Sequence, residues 1–154
     1  MTRPDLRPGI LLPAIVALAL LLAAAAAGSA SPDTVTVDVG VVLASNEGNV
    51  IDPSLAALRN KLQSMFNYTS YRLLERKRHT YPVGETANFQ LPGGRRMRVT
   101  PVPADAKKVR LDVRITEDGR NVLTTTLVLS RGGMVLVGGP PYQSGVLILL
   151  ISAE

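Results

Sequence analysis

The side chains with chemical potential in this chain are mainly arginines and lysines, and those on which a site could be built fall into three clusters. Arg72, Arg76, Lys77 and Arg78 form the first, Arg95, Arg96 and Arg98 the second, and Lys107, Lys108, Arg110 and Arg114 the third. Cations gathered on one surface raise the local concentration of anions, so an anionic polymer or a lipid headgroup is the matching ligand class. The candidate anionic-ligand patch comprises Arg72, Arg76, Lys77, Arg78, Arg95, Arg96 and Arg98, brought together if their strands are neighbours. The competing expectation is a solvated edge, because Lys and Arg also keep strand edges from aggregating. Aromatic support is thin: Tyr68, Tyr71 and Tyr81 flank the first cluster and there is no Trp.

Catalytic chemistry is harder to assemble. A Ser or Thr nucleophile needs a base within hydrogen-bond reach, and the only imidazole, His79, lies directly after three cations. That setting disfavours a further positive charge, and no acidic orienter stands nearby. His79 is therefore expected to be a polar residue on a strand face. Glu117 and Asp118 are adjacent carboxylates in a turn sequence, whereas acid/base work needs carboxylates converging on a cleft. Gly93-Gly94, Gly132-Gly133 and Gly138-Gly139 lack the Lys-Ser/Thr continuation of a phosphate loop. Without any cysteine, this chain offers no thiol mechanism, disulfide or Cys-ligated metal. One histidine leaves little for a His-rich metal site. The expectation is a protein that is not an enzyme and has no cofactor.

The first thirty residues carry a different message. Arg3 and Arg7 precede an uncharged run from Ile10 to Ala27, and Gly28, Ser29 and Ala30 come next. A positive start, an apolar middle and a small-residue exit predict a secretory signal peptide over 1–30, cleaved after Ala30 or after Ala27. An uncleaved anchor is the alternative, since about 18 apolar residues just span a bilayer. Residues 31–154 are then one β-rich domain with no further membrane span. Setting aside Arg3, Arg7 and Asp5 lowers the formal charge from +5 to about +4. Export makes nucleic acid an unexpected partner. Asn67-Tyr68-Thr69 fits a glycosylation acceptor where the machinery exists.

The elements that must position these residues are set by hydrophobic period. Val35, Val37, Val39 and Val41 alternate with Thr36, Asp38 and Gly40, which predicts a half-buried strand. Val42, Leu43 and Ala44 extend it with apolar residues on both faces. Asp52 reads as an N-cap and Pro53 as a first helical residue. Leu55, Leu58, Leu62 and Met65 or Phe66 then recur at helical spacing, predicting an amphipathic helix over 53–66 packed on a sheet. Further strands are expected over 71–80, 86–91, 96–102, 109–115 and 122–130. A tight hairpin at Glu117 to Arg120 joins the last two. Met134 to Val137 forms another strand, which Gly138-Gly139-Pro140-Pro141 should break. The closing run Val146 to Ile151 is apolar on both faces, as befits a central strand. The fold class is α+β, mainly an antiparallel sheet or sandwich with one amphipathic helix.

This order of segments resembles the core domain of bacterial secretins, the ring proteins of type II and type III secretion and pilus systems. The opening VTVDVGVVLAS looks like that family's first core strand, and the helix over 53–66 stands where the family has its next helix. Val83-Gly84 and Arg98-Val99-Thr100-Pro101 are similar to two family segments, and Val109 to Val113 to the following strand. Thr124-Thr125-Thr126, then Gly132-Gly133 through Val137-Gly138-Gly139, looks like another stretch, and Leu147 to Ile151 like the closing strand. The resemblance implies a truncated secretin-like scaffold without the membrane-crossing part. It implies a periplasmic or outer-membrane-associated module that contacts other envelope proteins or its own copies. The alternative is a periplasmic or surface module binding an anionic glycan or lipid through the basic stripe.

Overall fold

The alternation at the start of the chain forms a strand whose odd-numbered valines are buried. In the computed structural model, which describes residues 33–102 and 104–154, β1 is Thr34–Ser45. The expected leader over 1–30 lies outside the described residues. Val35, Val37, Val39 and Val41 face one core, while Val42 and Ala44 join a second on the opposite face. The continuous apolar end of β1 is therefore covered on both sides.

Asp52 caps the helical segment: its side chain accepts a hydrogen bond from the Ser54 amide at 2.9 Å. The predicted helix is two pieces, a 3-10 segment Pro53–Leu58 and a short α-helix, α1, Arg59–Met65. Leu55 and Leu62 supply the buried stripe, and Met65 is exposed. Tyr71 locks this layer to the sheet, its hydroxyl donating to Phe66 O at 2.7 Å and Leu62 O at 3.2 Å. It lies at the start of β2, Ser70–Pro82.

The remaining strands are β3 Ala87–Leu91, β4 Arg95–Val102, β5 Lys108–Glu117, β6 Arg120–Ser130, β7 Met134–Tyr142 and β8 Gly145–Ala153. They make two four-stranded sheets of order β2-β1-β8-β7 and β3-β4-β5-β6, with every pairing antiparallel. The sheets face each other across one core, where Val37, Leu149 and Ile151 of the first meet Met97, Leu111, Val113 and Ile115 of the second. Burial of such side chains stabilises by roughly 1.5–3 kcal/mol each. The helical layer covers the other face of the first sheet. On the second sheet the outward Arg96 and Arg98 of β4 and Arg110, Asp112 and Arg114 of β5 are exposed.

Two features depart from expectation. The helix is split, as described above, and Gly138-Gly139-Pro140-Pro141 does not end β7; the strand runs through to Tyr142 with a register shift between Gly138 and Pro141. Because β7 is an edge strand, prolines there cost no ladder bonds when their nitrogens face outward. Gly139 also sits so close to β8 that a Cβ would lie 2.9 Å from Leu147 O. The expected central strand is confirmed: β8 lies between β1 and β7, with Leu147 to Ile151 buried. The hairpin is also as expected, with positive φ at Asp118 and Gly119, the backbone of a two-residue turn that matches strand twist.

Candidate binding face of the second sheet

The pleat decides which cations share a surface. Along β4, Arg95 and Met97 point inward, so Arg96 and Arg98 point out. Along β5, Val109, Leu111, Val113 and Ile115 point inward, so Arg110, Asp112 and Arg114 point out. Register then sets the rows: Asn88, Arg98, Arg114 and Thr124 stand side by side across four strands. The next row is Gln90, Arg96 and Thr116, and on the other side come Thr100, Asp112 and Thr126. Two adjoining depressions of about 570 and 500 Å³ lie on this face, and both are lined by Arg98 and Arg114.

The seven residues of the sequence-derived patch are divided by the fold. Arg72, Arg76, Lys77 and Arg78 lie on β2, the edge of the first sheet, whereas Arg95, Arg96 and Arg98 lie on β4 inside the second. The two strands are not neighbours. Arg76 is engaged by Asp38, donating from Nε at 3.0 Å and from Nη2 at 2.9 Å. Those hydrogen bonds, with the carboxylate charge, raise the guanidinium pKa above its ordinary value. Lys77 lies 3.3 Å from Glu75, and Arg78 lies 2.8 Å from Glu154. Arg72 is exposed beside Leu43 in register.

Arg95 is turned inward and only 8% exposed. Its Nη2 donates to Pro141 O at 2.8 Å and lies 3.0 Å from Glu117, while its Nε has no partner. Glu117 is thus half of an ion pair rather than a free turn carboxylate. Arg96 and Arg98 alone carry the patch onto the outer face, and Arg114, from the third cluster, joins them. The alternation of Arg110, Asp112 and Arg114 was the available signal, since it put all three on one face. Pairing with β4 supplied the rest.

Among the described residues, Arg96, Arg98 and Arg114 have no carboxylate partner. Asp112 is engaged by the Thr126 hydroxyl at 2.8 Å. His79 stands on the other sheet, edge-on to Tyr81 at 5.9 Å, so the threonines of this face have no imidazole beside them. Among the described residues no group of three or more His, Asp or Glu is placed to hold a metal ion, and no helix is long and apolar enough to cross a membrane. Chemically, the face offers fixed positive charge and neutral hydrogen-bond donors, with the carboxylates of Asp112 and Asp118 lining one depression each.

No family model matches the chain, and no curated protein matches its sequence. Among solved structures, the chain is similar to the cryo-EM structure of the T2SS secretin XcpQ from Pseudomonas aeruginosa, with a TM-score of 0.44 and 11% identity. The similarity covers 92% of this chain and 63% of that chain, so this chain spans less than two thirds of its length.

Proposed function

We propose that this chain is a non-enzymatic, exported envelope protein, a small secretin-like β module that works by protein–protein contact. The observation that supports it is the edge strand β6. Native sheets guard their edges with charge, proline, bulges or brevity. β2 carries Arg72, Glu75, Arg76, Lys77 and Arg78, β3 has five residues, and β7 has two prolines and a register shift. β6 has eleven residues and no charge after Arg120. Val122 and Val128 are 43% and 59% exposed, and the inward-facing Leu123, Thr125 and Leu127 are only half-buried.

An uncharged, incompletely covered edge suits pairing with a further strand. The partner is a second copy of this chain or another protein of the envelope assembly, in keeping with the secretin-like order of segments. The test is the size of the protein isolated from its envelope. Wild type should run as an assembly, and Val122→Lys with Val128→Lys should release a folded, smaller species. A wild-type monomer with no co-purifying protein would overturn the proposal.

A further inference from the structure

We propose that the outer face of the second sheet is a site for a phosphorylated ligand, with one phosphate seated between Arg98 and Arg114. This inference is independent of the β6 edge. Arg98 and Arg114 are directly opposite each other on β4 and β5. Like charges in that position destabilise a sheet, and neither residue has a carboxylate partner among the described residues. By contrast, Arg76, Arg78 and Arg95 are each paired with an acid. Other exposed arginines among the described residues are also without an acid, but these two are unpaired and stand directly opposite each other.

The neighbours fit the same ligand. Asn88 and Thr124 flank the pair in register and bring neutral donors. Arg96 stands one pleat along β4, about 7 Å away by strand geometry, while Arg98 and Arg114 are about 5 Å apart across strands. That triangle suits two linked phosphate groups. Guanidinium forks match tetrahedral oxyanions with paired hydrogen bonds. Asp112 bounds the site on the side away from Arg96 and Asp118 lines the depression that holds Arg96, so the anion is confined to the arginines between the two carboxylates. No aromatic side chain lies on the outward positions of β3 to β6, so stacking on sugar rings or bases is not how this face selects. The phosphate comes either from a free, soluble diphosphate or from lipid headgroups at a bilayer.

Two probes distinguish the sources: inorganic pyrophosphate followed by calorimetry, and phosphatidylcholine vesicles with and without phosphatidic acid followed by co-sedimentation. Pyrophosphate binding without vesicle binding identifies a soluble ligand; binding to the phosphatidic acid vesicles identifies a headgroup. In either case Arg98→Gln and Arg114→Gln should each weaken binding about tenfold or more. The control Arg72→Gln with Lys77→Gln removes two charges from the other sheet and should change it less than about twofold, because distant exposed charges are screened. Binding to neither probe overturns the proposal, as does an equal loss in the control. Circular dichroism verifies that each variant is folded.

Discussion

Arg98 of β4 and Arg114 of β5 are direct cross-strand neighbours, and among the described residues no carboxylate lies within ion-pair distance of either. Two cations so placed are a local cost to the sheet. Arg98→Thr removes the repulsion and adds a β-branched residue, so the protein should become more stable by roughly 0.2–1 kcal/mol. Urea denaturation at low salt measures it, and the gain should shrink as salt screens the pair. A loss of stability would mean that the two side chains support the sheet.

The Asp38–Arg76 pair makes the opposite case. Asp38 is 8% exposed and Arg76 supplies it with three short contacts. Removing the cation leaves a nearly buried carboxylate without its partner. Arg76→Met should destabilise by about 1–2 kcal/mol, less than a fully buried pair because the guanidinium is more than half exposed. The double variant with Asp38→Asn should recover part of the loss in the same denaturation assay.

Asp52 gives the fold a pH dependence of known sign. Hydrogen bonds from the Ser54 hydroxyl and amide hold its carboxyl below the usual value of 3.8. A depressed pKa contributes stability above the unfolded value, and that contribution disappears as pH falls through the folded value. Asp52→Asn should therefore be less stable than wild type at pH 7, and the gap should close in acid below about pH 3.8. Urea midpoints at neutral and acid pH decide it; a gap independent of pH would exclude the charge.

Tyr71 joins the first sheet to the helical layer through its hydroxyl. Tyr71→Phe keeps the ring and loses the bonds to Phe66 O and Leu62 O, at a cost of about 0.5–1.5 kcal/mol. Burial also raises the phenol pKa above 10.0. Stability tied to the protonated phenol is complete below the unfolded value and is lost as pH rises through the folded one. Wild type should weaken more steeply than the variant in alkali, read from thermal melts.

The elements were largely legible because their signals are local. Val109, Leu111, Val113 and Ile115 could only alternate into a core, and β5 buries all four. Asp52-Pro53 announced a helical start, and the two-sided apolar run Leu147 to Ile151 announced a central strand. The 3-10 character of Pro53–Leu58 was not legible, since Leu55 and Leu58 suit either helix. The continuation of β7 through Pro140 was hidden because proline reads as a breaker until the strand is known to be an edge.

Alone, the sequence determined the faces: a period of two is fixed by each strand's own residues, so Arg96 and Arg98 had to share a side, and Arg110 and Arg114 another. Only the tertiary structure decided which sides became one surface. Pairing depends on burying a common core in one register, a long-range condition that spacing along the chain does not contain. It sent β2 and β4 to different sheets, gave Arg76, Arg78 and Arg95 their acids, and set Arg98 beside Arg114 without one.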